Sequence, residues 1–234
     1  MKFKQNKIEF EREIKKRGID YLIHFTPTIN LYGMLEHGKI MSRAKLESLG
    51  LNEWEDILDY AQLTDEFRMD DKNYINLSIS APNEKLFRKF INKTKDYAQI
   101  EWCILKIDSQ HIYEIETLFS VTNAASHTAK NIYGISGDFN MFKKLFDETV
   151  YIKNQNNHCT ISRKLIKPRY TTDEQAEVLV KDKIPFQSVK EICFKSDEKM
   201  AEAKAALSFF DTSNFIVDKN IFSRIEYEIS RWKS

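Results

Sequence analysis

Cysteine, glycine and proline are all scarce in this chain. Its 234 residues include 3 Cys, 6 Gly and 4 Pro. Cys103, Cys159 and Cys193 are widely spaced and odd in number. They argue against a disulfide framework and lack the paired spacing of a zinc site, so no metal is expected. So little Gly and Pro excludes collagen-like and linker-rich chains. No apolar run approaches the roughly 18 to 20 residues of a membrane span. The first residues, MKFKQNKIEFEREIKK, lack the apolar segment of a signal peptide. These absences predict a cytoplasmic protein with no membrane partner.

The chain is not short of apolar residues: 42% are hydrophobic, with 16 Phe, 10 Tyr and 3 Trp. That stock suffices for a sizeable core and excludes wholesale disorder. With no repeat, low-complexity stretch or linker, residues 1–234 are expected to form a single domain. The net charge of +1 hides a patterned distribution. Residues 1–17 carry seven basic against three acidic residues, and residues 45–71 carry two against nine. Residues 153–170 carry five basic residues and no acid. Such a run can bind phosphates or simply be a solvated loop.

Helical spacing and punctuation predict helices at Lys7–Arg17, stopped by Gly18, and from Thr28 through Leu31, Met34 and Leu35 to Gly38. Further helices are predicted after Pro82 and Asn83 (Leu86, Phe87, Phe90, Ile91), over 138–147 and over Lys199–Phe209. Asp218 is placed to cap a last helix carrying Ile221, Ile225 and Ile229, ending near Arg231 and Trp232. Strands are predicted at Tyr21–Phe25, Ile40–Ser42, Asn73–Ser80, Gln99–Ile107, Glu177–Val180 and Val189–Phe194. The acidic stretch 44–72 reads as helix and loop. Short strands scattered among helices, without regular βαβ alternation, indicate an α+β fold.

The common phosphate, zinc-protease and hydrolase motifs (GxGxxG, GxxxxGK[ST], HExxH, GxSxG) are absent. Two constellations remain. Strand alternation puts His24 and Thr26 on one face with Phe25 on the other, giving a hydrogen-bonding pair suited to a sugar hydroxyl or an amide. A core histidine followed by a turn threonine is the alternative. In Thr171-Thr172-Asp173-Glu174-Gln175-Ala176-Glu177-Val178-Leu179-Val180, a polar turn runs into an apolar strand with Glu177 at the junction. A carboxylate there could stabilise positive charge developing on a sugar ring, or could be an exposed edge-strand residue.

Together these segments resemble the DarT family, DNA ADP-ribosyltransferases of bacterial toxin–antitoxin and phage-defence systems. The carriers are His24-Phe25-Thr26, then Asn30-Leu31 with Leu35-Glu36-His37-Gly38-Lys39-Ile40, Asn73 to Ser80, Thr122-Asn123-Ala124-Ala125-Ser126, and Gln175-Ala176-Glu177-Val178-Leu179-Val180. They follow the family order over roughly residues 20–195. The resemblance implies an ADP-ribosyltransferase-like α+β fold, with short-stranded antiparallel sheets forming an NAD cleft surrounded by helices.

It also implies roles. Glu177 would be the catalytic glutamate and Arg68 a second catalytic residue, upstream of the central strand. His24, Thr26, Asn30 and Tyr74 would line the NAD pocket. Gln175 would place the acceptor. Arg163, Lys164, Lys167 and Arg169 would track a nucleic-acid backbone, as would Lys153, with Tyr170 available for stacking. NAD would be the co-substrate, single-stranded DNA or RNA the acceptor, and a macrodomain-type hydrolase or separate inhibitor the antitoxin. The central strand, Tyr-Ile-Asn-Leu-Ser-Ile-Ser, is less aromatic than in thymidine-modifying members, leaving thymine, guanine or an RNA base open. A protein-directed transferase, an NAD glycohydrolase and a non-catalytic nucleic-acid-binding regulator are the rival functions.

Overall fold

The computed structural model describes residues 2–50, 71–97, 100–153, 158–164 and 166–222. Arg68 and the C-terminal positions Ile225, Ile229, Arg231 and Trp232 lie outside them, so the expectations for these residues have no structural counterpart.

Helix α1 (Lys7–Arg17) buries Phe10 and Ile14 and ends at Gly18, whose φ of 68° is the left-handed value that favours glycine. Strand β1 (Tyr21–Pro27) follows, then α2 (Asn30–Glu36), β2 (Lys39–Met41) and α3 (Arg43–Ser48). After the acidic stretch come β3 (Tyr74–Ile79), α4 (Glu84–Thr94) and β4 (Trp102–Asp108). The side chain of Asn83 caps α4 by accepting from the Leu86 amide. Strand β5 (Leu118–Ser120), helix α5 (Phe139–Lys144) and the hairpin of β6 (Thr149–Lys153) with β7 (His158–Ser162) lead to β8 (Glu177–Lys181). The chain closes with β9 (Lys183–Pro185), β10 (Val189–Phe194), α6 (Asp197–Ala206) and β11 (Phe215–Val217). Asp218 does cap a turn, through the Ile221 amide.

Seven strands form one sheet in the order β11-β10-β4-β1-β3-β8-β5. Neighbours are antiparallel except β10 and β11. The α+β class read from the patterning is the one observed. Alternation along the strands builds two apolar layers. Leu22, Leu105, Ile107, Ile192 and Phe194 face the larger one with Phe10 and Phe119, whereas Ile23, Ile104 and Cys193 face Phe87 of α4. Burying each such side chain contributes about 1.5–3 kcal/mol.

One irregularity positions the site. β1 pairs with β4 along its whole length, from Tyr21↔Asp108 to Pro27↔Trp102. It pairs with β3 only at Leu22↔Ile79 and Ile23↔Ser78. Beyond Ile23 the strands separate, while β3 stays paired to β8 from Leu77↔Val178 to Tyr74↔Lys181. The sheet therefore forks between its two central strands, and the gap exposes their inner edges.

Candidate active site

The fork is a two-lobed cleft, and four residues line both lobes: His24, Thr26, Asn30 and Asn76. The first lobe is a cavity of about 220 Å³. Its apolar side is Phe25 from β1, Leu86 and Phe90 from α4, and Trp102 from β4, and Glu177 also lines it. The second lobe, about 320 Å³, is more polar and contains Lys39, Arg43, Lys72 and Tyr74. Phe25 lines only the first lobe, whereas His24 and Thr26 reach both, as strand alternation requires.

The aromatic side is rigidly built. Phe25 lies 4.7 Å from Phe87 and 6.1 Å from Trp102, centroid to centroid. The Trp102 indole N–H donates to Thr94 Oγ1 at 3.0 Å, and Thr94 in turn donates to the Phe90 carbonyl. An apolar wall of aromatic rings set at angles to one another, with its polar edges already satisfied, suits an aromatic ring in the cleft.

His24 Nδ1 lies 3.3 Å from the Asn76 carbonyl oxygen across the fork. A carbonyl only accepts, so this geometry puts the imidazole proton on Nδ1 and leaves Nε2 as an acceptor. Burial lowers the His24 pKa from its ordinary 6.5, against a smaller opposing effect of the Asn76 bond. The ring is therefore neutral at physiological pH. Asn30, at the start of α2, donates its amide to Thr26 Oγ1 at 2.9 Å. That bond fills an acceptor site of the threonine and leaves its hydroxyl hydrogen to donate elsewhere. The predicted helix start at Thr28 shifts to Asn30; Thr28 contributes its carbonyl to the Leu31 amide.

The neutral histidine has a measurable consequence. The unfolded chain takes up a proton near pH 6.5 and the folded chain only at lower pH. Stability from His24 is thus fully present above about pH 6.5 and declines as the pH falls below it toward the folded value. His24→Asn should remove that decline, so the difference in unfolding free energy between wild type and variant should be flat above pH 7 and pH-dependent below 6.5. A difference constant from pH 5 to 8 would contradict the assignment.

Glu177 opens β8 with its backbone beside Ser120 of β5. It is 4% exposed, and its Oε2 accepts from the Ala124 amide at 2.8 Å. The turn bearing that amide is held by its own bonds, Ala125 N to Asn123 Oδ1 and Ser120 Oγ to the Thr122 carbonyl. The carboxylate is thus fixed from behind by a backbone donor, which sequence reasoning missed because a peptide N–H carries no residue signature. The helical spacing of Leu86, Phe87, Phe90 and Ile91 was readable, but that the Leu86 and Phe90 face meets a gap in the sheet was not.

The remaining expectations divide. Tyr74 sits in the second lobe with its hydroxyl pKa raised by burial, away from Glu177. Gln175 is half-buried, and its backbone N–H donates to Asp173 Oδ1. Lys164 and Lys167 are exposed, as a backbone-tracking role requires. Arg169 stacks over the Tyr170 ring and donates to its hydroxyl. Arg163 and Tyr170 depart from expectation. Arg163 is 7% exposed, and its guanidinium donates to the carbonyls of Tyr170, Lys167 and Pro168 and to Thr172 Oγ1. It therefore braces the loop from inside, because five donors in a planar fork can collect the inward-facing carbonyls of a tight bend. Tyr170 is 6% exposed and packs with Ala81 and Ile166, which removes its ring from the stacking surface. Among the described residues, no group of three or more His, Cys, Asp or Glu could hold a metal ion.

No curated protein sequence matches the chain. The solved structure of Thermus sp. 2.9 DarT in complex with ADP-ribosylated ssDNA is similar with a TM-score of 0.54 at 13% identity, covering 88% of this chain and 97% of that one. Thermus sp. 2.9 DarT in complex with NAD+ gives 0.51 at 12%, covering 86% and 96%. Thermosipho africanus DarTG in complex with ADP-ribose gives 0.52 at 17%, covering 87% of this chain and 51% of that one. At such identities these structures establish a shared fold, the ADP-ribosyltransferase-like one expected. The profile of the family described as "ssDNA thymidine ADP-ribosyltransferase, DarT" matches residues 23–224. That span starts within β1, passes His24 and both walls of the fork and runs beyond Glu177, so the chain belongs to the DarT family of single-stranded-DNA ADP-ribosyltransferases.

Proposed function

We propose that the forked cleft takes NAD and that Glu177 drives transfer of its ADP-ribose to a base of single-stranded DNA. The observation that carries this is the convergence of His24 and Thr26 from β1, Asn30 from α2 and Glu177 from β8 on one cavity. An extended dinucleotide needs two connected compartments. The aromatic lobe beside Glu177 suits the nicotinamide and its ribose, and the more polar lobe suits the phosphate-bearing half, with Lys39 alongside Asp71 and with Arg43 and Lys72 paired to Glu47. Thr26 and Asn30 offer donors at the junction, neutral His24 an acceptor for a ribose hydroxyl. Arg68 keeps the catalytic role that the family resemblance implies.

The chemistry needs no metal. The bond from the ribose carbon to nicotinamide breaks with its electron pair going to the pyridinium nitrogen, which leaves neutral. Positive charge grows on the ribose, and Glu177 stabilises it from a buried position where that charge interaction is strong. A nitrogen of the base then bonds to the same carbon and gives up its proton to solvent water at the open mouth of the cleft. Bases in a duplex are stacked and paired, so a single strand is the natural acceptor. Thymine is the base in the family's description. Around this site residues 1–234 act as a single domain.

Such an activity in a cell would be toxic, which supports a role in a toxin–antitoxin or phage-defence system, countered by an ADP-ribosyl hydrolase of macrodomain type or a separate inhibitor. Among the described residues no helix is long and apolar enough to cross a membrane, and a cytoplasmic site gives access to both NAD and DNA. The test offers adenylate-labelled NAD together with single-stranded DNA, duplex DNA, RNA and a protein lysate. Label should enter single-stranded DNA, and homopolymers of the four bases should then show thymidine as acceptor. Label confined to RNA or protein, or NAD consumed with no labelled polymer, would overturn the proposal.

A further inference from the structure

Helix α4 presents two faces. Leu86, Phe90 and Thr94 line the first lobe of the cleft, while Glu84, Lys85, Arg88, Lys89, Asn92 and Lys93 line a shallow outer groove completed by Glu174. Glu174 precedes Gln175 and lies three positions before Glu177. The outer groove thus runs from a basic helix to the loop that delivers the catalytic carboxylate, with the thickness of one helix between it and the cavity.

The four cations of this groove outnumber its two carboxylates, Glu84 and Glu174, and are regularly spaced. Over its 11 residues α4 has Lys85, Arg88, Lys89 and Lys93 against Glu84, and Arg88 pairs with Glu84 along the helix. Lys85, Lys89 and Lys93 fall at every fourth position, so they form one ridge with about 6 Å of rise between neighbours. That rise is comparable to the phosphate spacing of an extended single strand. Lys85 and Lys89 are exposed, and among the described residues neither has an ion-pair partner. The basic run expected to track the backbone meanwhile loses Arg163 to the loop interior.

We propose that the α4 ridge, chiefly Lys85 and Lys89, carries the phosphodiester backbone of the single strand whose base enters the cleft. This rests on the reading that single-stranded DNA is the acceptor. With phosphates along the outer groove, a base turned inward past Gln175 reaches the mouth beside Glu177. The contact is electrostatic and indifferent to sequence, so it contributes affinity and orientation rather than base choice.

The test compares wild type, the double variant Lys85→Glu/Lys89→Glu and the milder Lys85→Gln/Lys89→Gln. Binding of a fluorescent single-stranded oligonucleotide is followed against salt concentration, and the thermal shift with NAD reports an intact cleft. Two lost phosphate contacts should reduce the slope of log affinity against log salt by about 1.4 in the Gln variant. Affinity at moderate salt should fall about tenfold or more, with the larger drop on charge reversal and the NAD shift retained. An unchanged slope and affinity in a protein whose wild type labels single-stranded DNA would overturn the α4 surface alone. A wild type that neither binds nor labels single-stranded DNA would overturn the functional reading and the surface with it. Loss of the NAD shift only in the Glu variant is a folding effect, and the Gln variant then decides.

Discussion

Glu177→Gln should leave a folded protein that still binds NAD but transfers ADP-ribose about 10²- to 10³-fold more slowly. Glutamine keeps the shape of the side chain, and its amide oxygen can accept from the Ala124 amide as Oε2 does now. What it removes is the negative charge. In NAD before reaction, the positive charge resides on the pyridinium; in the transition state it spreads onto the ribose. An interaction that strengthens along that path lowers the barrier more than it tightens binding. The variant should therefore lose kcat with little change in KM for NAD, read by single-turnover kinetics with labelled NAD. Glu177→Ala should be at least as slow, with the Ala124 N–H left without its acceptor and a cavity opened at a buried position. Unaltered kcat in Glu177→Gln would remove Glu177 from the chemistry.

Much of this was legible from residue order because the informative segments are local. Gly18 after a run with apolar residues at helical spacing marks a helix end. The polar–apolar alternation over Asn73–Ser80 marks β3, and a carboxylate heading an apolar run marks the start of β8. The short strands β5, β6, β7, β9 and β11 passed unseen although β2 and β8, equally short, were read, because three to five residues carry only a weak period. The fork is the deeper omission. It depends on β1 and β3 pairing for two residues and then parting, a tertiary outcome with no local pattern. Composition also misled at Arg163. A basic window free of acids says nothing of which cations turn inward, and here the loop's unpaired carbonyls recruit one of them.

Arg163→Ala should be the most destabilising change in the loop, by about 3–5 kcal/mol, because it strips a charged donor from several inward-facing carbonyls at once. The guanidinium serves Tyr170, Lys167 and Pro168 through their carbonyls and Thr172 through its hydroxyl. Truncation leaves those oxygens without this donor in a place that excludes water, where each unmet acceptor costs about 1–3 kcal/mol. The loop's other anchors include Thr172 Oγ1 to the Asp147 carbonyl, the Thr172 amide to the Leu145 carbonyl and Tyr170 against Ala81. It leads directly into β8, so its loosening should also displace Glu177. The variant should show a lowered unfolding midpoint together with a fall in kcat of about tenfold or more, since sub-ångström placement governs the chemical step. Arg163→Lys should recover only a minor part, because one ammonium cannot reach acceptors spread around a planar fork. If Arg163 instead met phosphates at the surface, alanine would leave the unfolding midpoint unchanged and lower only the salt dependence of DNA binding, so urea denaturation and a salt titration of one variant separate the two roles.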